Sequence, residues 1–293
     1  MSTMEPSLHE RWQAVMESNS RKNAEERRYL LVDAAQLPAN AMPWKELAEH
    51  RATSNLLWDQ PEASHPEVCA HLIDLDGPWI GNLVERHLHR RPFAFAALSS
   101  AMDMEQLTRA LNRRCLVRLP NNQRGLLRLY DSAVLAAFAE MLFGRQRIQW
   151  LSPVSDWIHV DRTGSVVAVR AGHDVPKPTT DLLTMATLSA DQLRHLDRMG
   201  RPDRLIARLT ANRRLAVNAD PFATYRHAAL LLAMFDRHDV TDEANIYQAS
   251  AVVADTLPER PPDPAVEQLI AEHKHDPDAM LDAIVKWREL STA

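Results

Sequence analysis

Only two cysteines, Cys69 and Cys115, occur in 293 residues. No disulfide framework can be built from them, and a reducing compartment is the expectation. Glycine is scarce at seven residues, too few to assemble a Gly-rich phosphate loop, so the common nucleotide-binding motifs are excluded. No Gly-x-Ser-x-Gly elbow surrounds Ser99-Ser100, which removes the hydrolase nucleophile motif. No apolar run approaches about 18 residues, so no membrane span is expected. The opening residues MSTMEPSLHERW lack the basic segment and apolar core of a secretory signal, which leads to a cytoplasmic expectation. A basic excess is missing as well. The net charge is −5, and nucleic acid is not the expected partner of such a chain. Residues 1–172 carry 20 basic and 20 acidic side chains, whereas residues 173–293 carry 14 and 19, so the acidic surplus lies in the second part.

What is present is an ordinary globular composition, 45% hydrophobic and 25% charged, long enough for about two domains. Residues 8–18 place Leu8, Trp12 and Val15 on one side of a helix, and the polar stretch 18–28 reads as loose. Tyr29 to Ala34 reads as a buried strand, as do Ser54 to Asp59 and Ala70 to Asp76; residues 43–51 and 79–90 read as helices, the latter burying Trp79 and Leu83. Phe93 to Leu98 is another strand, ending in Ser99-Ser100. Asp103 and Gln106 have the spacing of a capping box, followed by Leu107, Ala110 and Leu111 on one helical face. Cys115–Leu119 and Leu126–Tyr130 flank a polar, Gly-ended loop and predict a hairpin. Asp131 opens a further helix, and Trp157–Val160 with Val166–Arg170 predicts a second hairpin. Strands and helices alternate while hairpins intrude, so a mixed sheet flanked by helices is expected over residues 24–170.

Gly172, Pro176 and Pro178 then mark a linker. Beyond it strand-like runs vanish. Ser189 and Gln192 form another capping box, and Asp-Pro recurs at Asp220, Asp263 and Asp276, each pair suiting an N-cap followed by proline in the first turn. Phe222, Tyr225, Ala229 and Leu232 keep helical spacing. Residues 181–291 therefore predict a helical lobe of about five or six helices, with the proline-rich stretch Leu257–Pro264 as a connection inside it. The fold class read from the sequence is α+β, an α/β lobe followed by an all-helical one.

Candidate chemistry is sparse. Asp33, Asp59 and Asp74 lie near strand ends, where a carboxylate trio can hold a divalent metal for hydrolysis, although aspartate also ends strands because it favours turns. Cys69 with His71, and His87 with His89, lack the paired spacing of a structural zinc site, so neither metal nor cofactor is expected. The unusual feature is basic: Arg109, Arg113, Arg114, Arg118, Arg124 and Arg128 occur with no acidic residue between Glu105 and Asp131. Such a cluster can receive phosphate or an acidic protein surface, and without interleaved aromatics it offers no stacking platform for single strands. Arg128 and Asp131 are close enough in sequence to pair and lock a turn.

Several of these segments, taken in order, resemble a family. Leu30-Leu31-Val32-Asp33-Ala34 matches an early strand ending in an acidic residue. A serine-ended strand is followed by a helix, Leu107 to Arg114, that ends in Leu-x-Arg-Arg. Arg128-Leu129-Tyr130-Asp131-Ser132-Ala133 resembles an Arg-Phe/Tyr-Tyr-Asp-Pro-Arg signature without its Pro and second Arg. Ser152-Pro153-Val154 before Trp157 resembles a later Gly-Pro-aliphatic motif. From Tyr29 to Trp157 the chain is similar to the type VI secretion effector adaptor (chaperone) family. The resemblance implies a non-enzymatic bacterial cytoplasmic protein that binds a secreted effector and helps load it onto the VgrG spike protein. It implies structural roles for Asp33, Arg128, Tyr130, Asp131 and Pro153, and leaves Arg109, Arg113, Arg114, Arg118 and Arg124 as candidates for partner contact. Two other readings stay open on the residues alone: a metal-dependent hydrolase built on the strand-end aspartates, and a nucleic-acid accessory protein using the arginines.

Overall fold

A computed structural model describes residues 6–22, 26–49, 52–75, 81–171, 186–216, 219–254 and 260–292. In chain order the elements are α1 (Leu8–Lys22), β1 (Arg27–Asp33), α2 (Trp44–Glu49), β2 (Thr53–Asn55), β3 (Ala70–Asp74), α3 (Gly81–His87), β4 (Phe95–Ser100), α4 (Met104–Cys115), β5 (Leu116–Arg118), β6 (Arg124–Leu126), α5 (Ser132–Glu140), α6 (Gly144–Leu151), β7 (Asp156–Val160), β8 (Val166–Val169), β9 (Ala186–Thr187), α7 (Ala190–Ala211), α8 (Pro221–Arg237), α9 (Glu243–Val253), α10 (Pro264–His273) and α11 (Pro277–Thr292). The protein is α+β. It divides into two compact units, Met1–Leu196 and Asp197–Ala293.

The first unit is built on a six-stranded sheet of order β2-β3-β1-β4-β7-β8. Every pair in it is antiparallel. Parallel pairing is confined to β5 and β9 in a small sheet of order β6-β5-β9. The alternation of strands and helices in the sequence did reflect direction: β3 and β4, joined through α3, run the same way. They are not neighbours, however, because β1 lies between them and pairs with both. β1 can take this central place because Leu30, Leu31 and Val32 are all fully buried. On one face, Tyr29 and Leu31 share a core with Leu72, Leu98 and Trp157 of the sheet, with Leu107 and Leu111 of α4, with Leu135 and Phe138 of α5, and with Trp150 and Leu151 of α6. Burying each large apolar side chain contributes about 1.5–3 kcal/mol relative to exposure. On the other face, His71 of β3 stacks on Trp44 of α2 with ring centroids 4.4 Å apart.

Local signals place the element ends. Asp103 and Gln106 form the capping box of α4. Asn121 and Asn122 carry the β5–β6 turn, with Asn122 at φ 64°, a left-handed conformation that asparagine tolerates better than most residues. The hairpin is shorter than its sequence pattern. Leu127 N–H still donates to Cys115, but Leu129 and Asp131 then bond back to Leu127 and Arg128 and curl the chain into α5. The second hairpin, β7–β8, turns through Asp161 to Gly164, whose φ is 85°. The stretch expected to be loose is helical to Lys22 and extended from Arg27. The strand expected through Asp59 stops at Asn55. Trp79, the Gly172–Pro178 linker and residues 257–259 of the proline-rich stretch lie outside the described residues.

The second unit is helical and has its own core, which includes Leu209, Leu231, Phe235, Ile246, Val253, Ile270 and Ile284. Asp220, Asp242 and Asp263 accept hydrogen bonds from first-turn amides of α8, α9 and α10, and Asp276 does the same before α11. Ser189 and Gln192 cap α7 reciprocally. Two details differ from expectation. Before this unit, a two-residue strand, β9, follows the proline-containing stretch and joins β5 of the first unit, and within it α8 buries Thr224, Ala228, Leu231 and Phe235 while Phe222 and Tyr225 are only half-buried. The alanine-rich α8 reads as apolar over a wide arc, so spacing alone did not fix which stripe faces the core.

Candidate functional site

The residues of the family-like motifs meet at the carboxyl end of β1. Asp33 is fully buried. Its Oδ2 accepts from Arg128 Nη2 at 2.8 Å and from Gln36 Nε2 at 2.9 Å, whereas its Oδ1 is buried without a hydrogen bond. The guanidinium of Arg128 also lies 5.5 Å from the centre of the Tyr130 ring. Burial opposes its charge, but Asp33, Tyr130 and Asp131 outweigh burial and raise its pKa. Burial likewise pushes the Tyr130 phenol well up, against the pull of Arg128. The expected Arg128–Asp131 pair is corrected here. Arg128 reaches across the fold to Asp33, because Asp131 is occupied as the N-cap of α5, accepting from Ala133 N–H at 3.0 Å. Asp131 is still within the field of Arg162 and Arg128, which partly offset the rise in its pKa caused by burial. Arg162 itself lies over the Phe93 ring at 3.9 Å. The Phe93 carbonyl accepts from Ser132 Oγ and Gln36 Nε2.

The other motif is spent the same way. Ser100 Oγ donates to the carbonyl of buried Pro153. Ser155 N–H and Oγ both donate to Ser99 O at 2.9 Å. These bonds seat the entry into β7 against the end of β4.

The arginine cluster separates into parts. Arg114 is not on the surface at all: it is 2% exposed. Its Nε, Nη1 and Nη2 donate to the carbonyls of Trp150, Ala110 and Gln149 at 2.9, 2.8 and 3.0 Å, so it ties the last turn of α6 to α4. Its helical phase explains the burial, since it follows Ala110 and Leu111 by four and three positions. Arg109 is exposed and pairs with Glu105 one turn back. Arg113 is exposed on the same helix. Arg118 and Arg124 are exposed and stand directly opposite each other across β5 and β6.

The strand-end aspartates do not converge. Asp33 pairs in register with Ala70, and Asp74 with Tyr29, so Asp33 and Asp74 sit at opposite ends of an antiparallel ladder, roughly 13 Å apart at about 3.4 Å per residue. Asp59 is exposed and accepts from Asn112 Nδ2 at 2.7 Å. Only in parallel strands would the carboxyl ends share one edge and bring such aspartates together. Burial raises both thiol pKa values, that of Cys115 to about 12, which disfavours the thiolate form at both positions. His71 turns its Nε2 to the Pro66 carbonyl at 2.6 Å, while Cys69 Sγ faces the carbonyls of Glu62 and His65. Among the described residues, no three His, Cys, Asp or Glu side chains are grouped so as to hold a metal ion. Nor is any helix among them long and apolar enough to cross a membrane.

Sequence reasoning missed Gln36, Arg162 and Arg147. Arg147 donates to the carbonyls of Arg170 and Ala139 at 2.8 Å. Each acts on a backbone or carboxylate partner from another element, a relation with no sequence period.

The ordered motifs thus have one neighbourhood. Residues 28–149 match the family model described as Domain of unknown function (DUF4123). The match begins within β1 and ends within α6, so it takes in both Asp33 and Arg128 and stops before Pro153. No curated protein and no solved structure matches the chain significantly. The matched stretch therefore carries the ion pair between β1 and the chain segment after β6.

Proposed function

We propose that this protein is a non-enzymatic adaptor of the bacterial cytoplasm, which binds a secreted effector of a type VI system and the VgrG spike protein and processes neither. One observation carries the reading beyond the sequence resemblance: the motif residues are consumed in holding the fold. Asp33 and Arg128, which belong to separate motifs, form a single ion pair, and the serine-ended strand bonds the Pro153 segment. Residues spent in this way build a scaffold for surfaces, and function by surface is what an adaptor needs. The split of Asp33 from Asp74 gives the hydrolase reading no support. An adaptor must capture cargo and release it, which fits micromolar to nanomolar affinity, about −8 to −12 kcal/mol. Co-purification of the tagged full-length protein with the products of adjacent genes tests the reading. Retention of a toxin and a VgrG protein is the expected result. If neither is retained, and deletion of the gene leaves delivery of the neighbouring toxin unchanged, the assignment is wrong.

A further inference from the structure

The small sheet carries a surface that the motif core does not use. Arg118 and Arg124 are register partners. The flanking backbone bonds, Leu119 N–H to Gln123 and Leu127 N–H to Cys115, make Arg118–Arg124 and Leu116–Leu126 the non-hydrogen-bonded pairs of the ladder, in which side chains approach most closely. Two like charges directly opposite each other are destabilising. Neither arginine has an ion-pair partner among the described residues. On the same face, Leu116 is half-buried, Leu126 is 42% exposed, and Thr187 of β9 stands beside Arg118. The sheet order leaves β6 with an open edge among the described residues, and the same ladder phase turns the N–H and C=O of Arg124 and Leu126 toward that edge.

We propose that this edge receives an extended, acidic segment of a partner protein, adding as a strand beside β6. Main-chain bonds to Arg124 and Leu126 would hold the strand. Its alternate side chains would lie over the Arg/Leu face, a carboxylate meeting the arginine pair and an apolar group meeting Leu126. Charge complementarity selects a carboxylate-bearing partner. The aliphatic half of the face, Leu116 and Leu126, favours a polypeptide with alternating apolar side chains over a nucleic acid, whose backbone offers the arginines phosphate but the leucines nothing apolar. The proposal deepens the adaptor reading by giving the chemistry of one partner contact, and it rests on that reading only for who the partner is.

The test uses the full-length protein and a labelled synthetic peptide of alternating glutamate and leucine, read by fluorescence anisotropy. A lysine–leucine peptide, a single-stranded oligonucleotide and the acidic peptide N-methylated along its backbone serve as controls. Saturable binding of the acidic peptide alone is expected, weakened at least about tenfold by Arg118→Glu/Arg124→Glu and by backbone methylation. Arg124→Glu by itself places a carboxylate opposite Arg118, so it should raise Tm while abolishing peptide binding. Binding that ignores charge reversal, tighter binding of the oligonucleotide, or a lower Tm for Arg124→Glu overturns the proposal. So does absence of acidic-peptide binding in a protein whose Arg124→Thr variant self-associates, because the arginines would then serve to keep the edge unpaired. If the peptide binds as expected but no effector or spike protein co-purifies, the adaptor reading fails alone; if co-purification succeeds without peptide binding, this site fails alone.

Discussion

At the scale of single residues, arginines from one stretch of sequence have unlike fates. Arg128 has a 44% exposed side chain yet holds a carboxylate that is fully buried. Arg128→Ala would leave Asp33 with Gln36 alone. Removing one partner of a fully buried pair costs ~3–5 kcal/mol, and the partial exposure of Arg128 reduces this to about 2–3. Arg124→Ala should instead be neutral or slightly stabilising, because it removes a like-charge contact. Urea unfolding of the two variants decides: equal midpoints would mean that the tie to Asp33 does not hold the fold. Asp33 and Arg128 were each visible as motif positions, but their pairing was not, since 95 residues separate them and Asp131 offered a nearer carboxylate. His71 and His159 give a second prediction. Burial lowers both pKa values, against the opposing pull of the Pro66 carbonyl on His71 and of the Val160 carbonyl on His159. The unfolded chain takes up these protons near pH ~6.5 while the folded chain resists. The unfolded state then binds more protons, so their contribution is full above about pH 6.5 and is lost as the pH falls below it. Tm should therefore drop between about pH 7 and pH 5, and by less in His71→Phe, which keeps a ring over Trp44 but cannot titrate; an unchanged slope would remove His71 from the explanation.

At the scale of elements, the legible parts were those whose signals are local. Capping boxes at Asp103 and Ser189, and the Asp-Pro starts of α8, α10 and α11, stand where spacing put them. Strand neighbours were less legible, because no residue in β3 or β4 announces that β1 will lie between them. Arg114 falls between these cases. Its position below Ala110 and Leu111 was a signal of burial, but the basic run around it read as surface. Because it joins α4 to the last turn of α6, Arg114→Ala should leave the buried Trp150 carbonyl unpaired, remove the donor of the Gln149 carbonyl and open a cavity, costing about 3 kcal/mol or more. Arg109→Ala, on the same helix, removes only an exposed i,i+4 pair and should cost about 0.3–0.5 kcal/mol. Similar losses in denaturant titration would show that α6 does not depend on Arg114.

At the scale of the whole molecule, the division into an α/β part and a helical part was legible from the loss of strand patterning, while the boundary of the compact units falls inside α7. A helix running through a boundary leaves no break in its periodicity. The two units have separate cores, and Phe138 and Phe235 are fully buried, one in each. Phe→Ala in a core costs ~3–5 kcal/mol. Thermal unfolding should show two transitions, with Phe138→Ala lowering one and Phe235→Ala the other. A single transition lowered equally by both would mean that the cores melt as one cooperative unit.

The strand order also sets a schedule for synthesis. β1 occupies the middle of the six-stranded sheet, yet the ribosome makes it first. Its two neighbours begin at Ala70 and Phe95. At ~5–20 residues per second, β1 waits roughly 2–7 s for one flank and 3–12 s for the other. Throughout that interval Leu30-Leu31-Val32 has no native strand beside it, so the nascent chain is most vulnerable to aggregation while a strand segment that is fully buried in the finished protein is still alone. Slowing synthesis lengthens this exposure, and the yield of native protein depends on how quickly β3 and β4 follow.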